Sequence, residues 1–257
     1  MSGLIWLEPD TPLPEPDSAL PEGLLAAGGD LSVARLTEAY SKGIFPWFNQ
    51  GDPVLWWSPN PRMVLTCSDF RVSHSLRKKL RQVARLEDTG EERVIVTTDL
   101  AFGHVIRACA APRASQNGTW ISNLIINAYS RWHASGQVHS IETWIDGTLA
   151  GGLYGVCLGG FFFGESMFAR VPDASKIALA YLVGFLERHG ITHVDCQQDT
   201  QHLSSLGGRT MSRAAFMELL SQALQQPSPP WQAGRLLHDG RLRPFREAGP
   251  DQSGSTT

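Results

Sequence analysis

Residues 140–168 read SIETWIDGTLAGGLYGVCLGGFFFGESMF, and this stretch decides the fold. The segment SIETWI alternates with a period of two, which is typical of a half-buried strand. The Asp146-Gly147 pair that follows is a strong hairpin-turn signal. TLAGGLYGVCL and GGFFFGESMF then supply two more apolar strands. Three strands in such close succession predict an antiparallel meander.

The segments around the meander have the patterns of helices and of two further strands. The strands are ERVIVTTD (92–99) and the apolar ITHVDCQ (191–197). The predicted helices are AFGHVIRACAAP (101–112), SNLIINAYSRWHASGQ (122–137), ASKIALAYLVGFLERHG (174–190) and SRAAFMELLSQALQQ (212–226), the last with Ser212 as its N-cap.

The first 62 residues are rich in proline and aromatic residues. Residues 8–23 contain five prolines and predict an extended arm, and GLLAAGGDLS (23–32) predicts a turn. The helix VARLTEAYSKG (33–43) follows, capped by Asp30 or Ser32. The loop IFPWFNQGDPVLWWSPNPR (44–62) carries aromatic residues that either pack the core of a small domain or contact a ligand, and both alternatives stay open.

Composition excludes few classes of protein. The chain has 257 residues, of which 42% are hydrophobic, and a formal net charge of −3. That length allows one large domain, or a large and a small one, and the charge does not exclude a local basic patch that binds nucleic acid.

The N-terminal sequence has no secretory pattern, so we expect a cytoplasmic protein. Its apolar runs are shorter than the roughly 18 to 20 residues that cross a bilayer, so we expect no membrane insertion.

The four cysteines do not form a metal-binding pattern. Cys67, Cys109, Cys157 and Cys196 lie about 40 to 50 residues apart, with no C-x-x-C pair. We interpret them as buried free thiols and expect no metal. The Gly151-Gly152 and Gly159-Gly160 pairs do not match a phosphate-binding fingerprint either.

One predicted helix, with Ser73 as its N-cap, is strongly basic. VSHSLRKKLRQVAR (72–85) contains no acidic residue, and Arg77, Arg81 and Arg85 recur on one face at four-residue spacing. Such a face is either ordinary solvated surface or a site that contacts phosphate groups.

Three places put polar groups beside apolar strands, where burial needs a partner or a purpose. Glu165 follows three phenylalanines and predicts either an ion pair with an arginine, which we favour slightly, or a cation ligand. Asp195 and Gln197 end a strand and, by alternation, share a face, where the carboxylate can orient the amide. A structural hydrogen bond is the alternative there. In residues 117–121, NGTWI, a glycine turn precedes Trp120, which is a weak signal of a pocket cover.

Taken together, these segments closely resemble the bacterial leucyl/phenylalanyl-tRNA-protein transferases over roughly residues 20–220. Eleven blocks carry the resemblance in the expected order: GLLAAGGDLS (23–32), AYSKGIFPWF (39–48), LWWSPNPR (55–62), VSHSLRK (72–78), GTWI (118–121), HSIETW (139–144), GGLYGV (151–156), FFGESMF (162–168), ASK (174–176), DCQ (195–197) and HLSSLG (202–207).

The resemblance implies an α+β protein with two domains and a tail. A small N-terminal domain (1–70) carries the aromatic loop, and an acetyltransferase-like (GNAT) domain (71–226) has a mixed, largely antiparallel sheet flanked by helices. Residues 227–257 lie outside the resemblance, and we expect a tail that is partly disordered.

The resemblance also implies an activity and its partners. Leucine or phenylalanine, and less readily methionine, passes from charged tRNA to the α-amino group of a protein that begins with Arg or Lys, which creates an N-end-rule degradation signal. No cofactor is implied, because an aminoacyl ester is already activated. We expect a monomer.

The family match assigns expected roles to ten residues. Asp195 and Gln197 are the catalytic pair, and Glu165 binds the basic acceptor terminus. The remaining residues form the aminoacyl and adenosine pocket, namely Trp57, Trp120, Leu153 and Met167, and the tRNA backbone contacts, namely Arg77, Lys78 and Arg81.

Two rival hypotheses remain. An acyltransferase of the same fold that uses acyl-coenzyme A explains the core but gives no role to the basic helix and the tryptophan loop. A non-catalytic RNA-binding module explains those two features but not the paired polar site at Asp195 and Gln197.

Overall fold

The structure, a computed structural model, describes residues 4–8, 10–111 and 119–245. Its strands are β1 (Ile5–Leu7), β2 (Leu24–Gly28), β3 (Phe45–Pro46), β4 (Leu55–Trp57), β5 (Arg62–Thr66), β6 (Val94–Thr98), β7 (Val138–Ile145), β8 (Thr148–Leu158), β9 (Phe161–Ala169), β10 (His193–Gln197), β11 (Arg209–Met211), β12 (Gly234–Leu236) and β13 (Leu242–Pro244). Its helices are α1 (Val33–Ser41), α2 (His74–Leu86), α3 (Phe102–Ala110), α4 (Asn123–Ala134), α5 (Ala174–Arg188), α6 (Gln201–Ser205) and α7 (Arg213–Leu224).

The predicted meander is confirmed and forms the centre of a nine-stranded sheet. The strand order is β11-β5-β10-β9-β8-β7-β6-β12-β13, and β7, β8 and β9 pair antiparallel. At the β7–β8 turn Asp146 and Gly147 both have positive φ angles, 49° and 76°. Such angles match the right-handed twist of the strands, which is why this dipeptide closes the hairpin.

The only parallel pairing of the larger sheet, within the described residues, joins β9 to β10. It extends over two residue pairs, Val194 with Phe162 and Asp195 with Phe163. Beyond them β9 continues to Ala169, whereas β10 ends at Gln197. The sheet therefore opens into a gap between the ends of these two strands.

Helices cover both faces of this sheet and create two apolar cores. On one face α3 and α4 pack with α1, α7 and the small N-terminal sheet around the aromatic side chains of Trp56, Tyr129 and Phe163. On the other face α5 packs on β7 and β8, and α2 packs on α5. The fold is therefore a mixed α/β arrangement with helices on both sides of a mixed sheet. In the part of the chain that the structure describes, no helix is both long and apolar enough to span a bilayer.

The predicted turn at 23–32 is wrong in its first half, because Leu24–Gly28 forms strand β2. This strand belongs to a second, four-stranded sheet in the order β1-β2-β4-β3. Its Ala26 and Ala27 are fully buried, so tertiary burial overrides the glycine-rich local pattern. The end of the segment is as predicted, since Ser32 caps α1 by accepting a hydrogen bond from the Arg35 amide at 3.2 Å.

The expected domain boundaries do not coincide with the ends of the larger sheet. Strand β5 (Arg62–Thr66) falls in the predicted N-terminal domain but pairs with β10. After residue 226, β12 pairs with β6, and Trp231 stacks on His139 with ring centroids 4.2 Å apart. Strands β12 and β13 thus add part of the expected tail to the larger sheet. Residues 246–257, including the expected disordered end, lie outside the described residues. The division into two domains stays a prediction.

The cysteines are free thiols, as predicted. Cys67, Cys109 and Cys157 are buried, whereas Cys196 is half-buried.

Gly151 allows helix α5 to approach strand β8 closely. A Cβ atom at this position would lie 2.6 Å from the Ala174 Cβ and 2.9 Å from the Ser175 amide nitrogen. Thr143 on the neighbouring strand also contacts this helix end, since its hydroxyl donates to the Ala174 carbonyl at 2.9 Å. Gly151 of the Gly151-Gly152 pair therefore serves helix–sheet packing.

We expect Gly151→Ala to lower the free energy of unfolding by about 1–3 kcal/mol, because the added methyl group overpacks the α5–β8 contact. Urea denaturation measures the change. The matched control is Gly184→Ala within α5, where the nearest atom to an added Cβ is 3.7 Å away. The control is expected to be neutral or to stabilise by roughly 0.5–1 kcal/mol. Equal stability of Gly151→Ala and the wild-type protein would contradict the packing account.

Candidate active site

A cleft of about 1140 Å³ opens where β9 and β10 separate. Its wall has an apolar part, formed by Leu153, Met167, Leu179, Leu182 and Val194. Glu165 within β9 and Gln197 at the end of β10 are polar residues of this wall, and Trp47 and Trp120 are its two indoles. The cleft therefore combines an apolar chamber with one carboxyl–amide pair.

Beneath the cleft, Arg62 and Asp195 form a fully buried ion pair. The guanidinium donates from Nε to Oδ1 at 2.8 Å and from Nη2 to Oδ2 at 2.7 Å. Its Nη1 donates to the Gly43 carbonyl at 3.1 Å, and its Cζ lies 4.8 Å and 4.6 Å from the ring centroids of Phe45 and Phe216. Because both carboxylate oxygens accept hydrogen bonds from Arg62, Asp195 is not available as a general base.

The sequence analysis did not identify Arg62 as a site residue. Arg62 begins the apolar strand RMVLT, and a charged residue beside an apolar strand is the same signal that identified Glu165 and Asp195.

Gln197 lies at a β-bulge, so the predicted alternation with Asp195 is wrong. The register of β10 against β5 shifts between Asp195 and Gln197, and Gln197 has a φ angle of 58°. Asp195 Oδ1 accepts the backbone amide of Gln197 at 2.9 Å, not its side chain. The side-chain amide Nε2 donates instead to Glu165 Oε1 at 3.2 Å. The Asp195 carboxylate thus holds the backbone of Gln197 in its left-handed conformation. This backbone conformation directs the Gln197 side-chain amide towards Glu165.

Glu165 is the unpaired residue of a bulge in β9. Tyr154 of β8 pairs with Ser166 and Gly155 with Gly164, which leaves Glu165 without a partner in β8. Its Oε1 accepts the Tyr40 hydroxyl at 2.7 Å, and its Oε2 accepts the Tyr129 hydroxyl at 3.4 Å. In the described part of the chain no arginine forms an ion pair with it, and the slightly favoured ion-pair alternative stays a prediction.

Burial raises the pKa of the Glu165 carboxyl to about 8. The two tyrosine hydroxyls stabilise the carboxylate and oppose the shift, whereas the negative charge of Asp195 adds to it. Burial also raises the pKa values of Tyr40 and Tyr129, so both hydroxyls remain hydrogen-bond donors. At neutral pH the Glu165 carboxyl therefore keeps its proton.

The structure brings some of the predicted pocket residues together but not all of them. Leu153, Met167 and Trp120 line the cleft, whereas Trp57 does not. Trp57 lies behind Trp47, with ring centroids 5.6 Å apart and its Nε1 donating to the Trp47 carbonyl at 2.7 Å. Sequence reasoning thus selected the supporting indole instead of the one at the wall. Asn117 and Gly118, the turn before Trp120, lie outside the described residues.

Helix α2 lies away from the cleft wall. Arg77, Lys78 and Arg81 are exposed, and the helix contacts α5. Lys79 forms an ion pair of 2.5 Å with Asp173, immediately before α5 begins. Ser73 caps α2 as its sequence predicts, accepting the Leu76 amide at 3.2 Å. The basic face is thus free to contact a large partner, outside the cleft.

Comparison with known proteins identifies the family. The sequence profile of the leucyl/phenylalanyl-tRNA protein transferases matches residues 64–221, and that of their N-terminal domain matches residues 29–60. The leucyl/phenylalanyl-tRNA–protein transferase of Bordetella petrii is 61% identical over 94% of this chain and 96% of its own. That of Paraburkholderia xenovorans is 55% identical over 88% and 93%.

Likeness to solved structures is low. The structure of L-PGS from Bacillus licheniformis is 13% identical and covers 66% of this chain and 50% of its own, with a TM-score of 0.35. A likeness of this size carries no argument about fold or function.

The class that these relatives define is that of the aminoacyltransferases, enzymes that transfer an aminoacyl group from tRNA to a protein. The chain belongs to the leucyl/phenylalanyl-tRNA–protein transferase family.

We expect stability to depend on pH through Glu165. The folded carboxyl keeps its proton up to about pH 8, whereas the unfolded one loses it near its ordinary pKa of 4.5. Between these values the folded state binds more protons than the unfolded state, so the free energy of unfolding falls as pH rises. Glu165→Gln removes this contribution. Urea denaturation of both proteins across this window should therefore find the variant gaining stability relative to wild type as pH rises. Parallel pH profiles would refute the raised pKa.

Proposed function

We propose that this chain transfers leucine or phenylalanine, and less readily methionine, from charged tRNA to the α-amino group of a protein that begins with Arg or Lys. The observation that carries the proposal is the meeting of an apolar chamber and the Glu165–Gln197 pair in one cleft. An N-terminal leucine or phenylalanine then marks the acceptor for degradation.

The apolar chamber is the site for the transferred side chain. Leu153 and Met167 come from adjacent strands, and Leu179 and Leu182 come from α5, one helical turn apart. Each apolar group that leaves water for such a chamber contributes about 0.8 kcal/mol per methylene. The chamber thus favours large apolar side chains over polar ones, and the thioether of methionine fits the same surface.

Glu165 is the site for the basic terminal residue of the acceptor. Its pKa is raised mainly because burial disfavours the carboxylate, and an arriving guanidinium or ammonium group supplies the missing positive charge. Glu165 then releases its proton and forms a charge-assisted pair while Tyr40 and Tyr129 hold its oxygens. A neutral terminal side chain leaves the carboxyl protonated and makes no such pair, which is a physical basis for selecting Arg or Lys.

Gln197 aligns the attacking amine. Its Nε2 is engaged by Glu165, so its amide oxygen is the atom left to accept a hydrogen bond from the neutral α-amino group. The amine nitrogen forms the new bond to the ester carbonyl carbon, the ester bond to the ribose oxygen breaks, and an amine proton passes to that oxygen. Asp195 acts by position, through Arg62 and the Gln197 backbone amide. Most of the rate then comes from alignment of two reactants.

The architecture and the partners fit this function. The splayed ends of β9 and β10 resemble the cleft of an acetyltransferase-like (GNAT) domain, in which two parallel strands separate around the donor. Trp47 and Trp120 offer surfaces for the terminal adenine, since stacking on an aromatic side chain contributes about 1–3 kcal/mol per base. We propose a cytoplasmic monomer.

The test is transfer of labelled phenylalanine from Phe-tRNA to a model protein with N-terminal Arg, beside the same protein with N-terminal Ala. We expect labelling of the first protein alone. In the same assay Gln197→Ala should lose most of its transfer rate while Phe-tRNA binding persists, because the variant removes alignment and not the donor site. Labelling of neither protein by folded wild type, or turnover of Gln197→Ala near that of wild type, would contradict the proposal.

Helix α2 gives a separate prediction about tRNA binding. Arg77→Glu combined with Arg81→Glu should weaken Phe-tRNA binding and reduce the slope of log affinity against log salt by roughly one to two, because fewer phosphates are neutralised. Arg188→Glu, exposed at the far end of α5, is the control and should leave the slope unchanged. A wild-type slope in the double variant would remove α2 from the tRNA surface.

A further inference from the structure

A second cavity of about 660 Å³ joins the cleft at the start of helix α5. Its wall includes Arg170 and Ser175 and shares Met167, Ala111 and His202 with the main cleft. We call this cavity the annex. The annex and the main cleft therefore adjoin each other at these three residues.

The N-terminal end of α5 in the annex has no side-chain cap. The N-cap residue Asp173 has a left-handed backbone, with a φ angle of 71°, and its carboxylate makes no capping bond. The amides of Ala174 and Ile177 are satisfied by the carbonyls of Val171 and Asp173, at 3.1 Å and 2.9 Å. Within the described residues, the amides of Ser175 and Lys176 have no such partner. Free amides and the helix dipole together favour an anion at this end.

Ser175 supplies the independent sign of a ligand. Its side chain lines the annex yet only 9% of the residue is exposed. Among the residues that the structure describes, no hydrogen bond to its hydroxyl is present. A hydroxyl at the cavity wall without a protein partner is available to donate a hydrogen bond to a bound acceptor group.

The charges around the annex favour an anionic ligand. Arg170 is fixed in place, because its Nη1 donates to the Leu149 carbonyl at 3.2 Å and its Cζ lies 5.5 Å from the Phe168 ring centroid. Lys176 follows Ser175 on the first turn of α5. The one carboxylate of this turn, Asp173, already faces Lys79 at 2.5 Å and Lys176 at 3.9 Å. Two lysines thus share one carboxylate, and Arg170 adds a further positive charge at the wall of the annex.

We infer that the annex is a phosphate subsite, formed by Ser175, Lys176 and Arg170 at the start of α5, which binds a phosphodiester group near the 3′ end of the donor tRNA. The inference rests on the proposed function, since it extends the donor from the adenosine in the main cleft to the nucleotides before it. The Lys79–Asp173 pair places α2 beside this turn. A tRNA acceptor stem on the basic face of α2 would therefore lead its single-stranded end to the annex.

The experiment compares ligands with and without phosphodiester groups. The dissociation constants of the trinucleotide CCA and of adenosine are measured by NMR titration for wild type and for Ser175→Ala combined with Lys176→Gln. We expect the double variant to bind CCA roughly tenfold more weakly, as loss of charge-assisted hydrogen bonds to a phosphate predicts, and adenosine equally well. Arg188→Gln removes one charge from the opposite end of α5 and should change neither constant. Thermal melting verifies that each variant folds.

A CCA affinity that does not change in the double variant, or a loss that is equal for adenosine, would overturn the inference. The pyrophosphate of coenzyme A is the other source of phosphate that fits an uncapped helix end, so coenzyme A is titrated in parallel. Binding of coenzyme A as tight as that of CCA would also overturn it. The phenylalanine transfer assay separates failure of the phosphate subsite from failure of the proposed function. If wild type transfers phenylalanine but the double variant binds CCA as tightly as wild type, only the phosphate subsite is refuted.

Discussion

The buried ion pair between Arg62 and Asp195 is the interaction on which the site depends. Removing two charges from water costs several kcal/mol per ion, and this geometry offsets that cost by engaging both carboxylate oxygens and a backbone carbonyl. The pair joins β5 to β10 and, through Gly43, reaches the end of α1. An apolar pair of similar volume could fill the same space, but it could not hold the backbone amide of Gln197. We therefore attribute the pair to positioning more than to stability.

Two bulges in neighbouring interior strands of the larger sheet bring the polar groups of the candidate site together. In an unbroken strand Asp195 and Gln197 would face the same way, and Glu165 would follow the alternation of the phenylalanines before it. The bulges in β9 and β10 instead direct Glu165 and the Gln197 amide towards each other across the gap. Asp195 and Glu165 lie close together but differ in environment, since one carboxyl faces an arginine and the other faces hydroxyl and amide groups. The site consequently holds one carboxylate for architecture and one carboxyl that can respond to a cationic ligand.

Helix α5 connects the apolar chamber to the solvent-facing donor path. Its side chains Leu179 and Leu182 line the chamber, its uncapped start lies in the annex, and its surface supports α2. Gly151 makes this arrangement possible because no side chain separates β8 from the first turn of the helix. A donor with an apolar aminoacyl group, an adenosine and a charged backbone would meet these three features in that order.

The sequence by itself determined the elements with a strong local signal: the meander from its alternation and Asp146-Gly147 turn, the capped helices from Ser32, Ser73 and Ser212, and the family from eleven ordered blocks. It also marked Glu165, Asp195 and Gln197 as polar groups in apolar surroundings. Only the tertiary structure decided their partners. Arg62 and Tyr40 lie more than a hundred residues from the carboxyls they contact, the strand β2 is formed by burial against its local pattern, and the segment after residue 226 completes the sheet. Alternation and capping act between residues a few positions apart, whereas bulges, ion pairs and sheet edges are settled by which distant segments pack together.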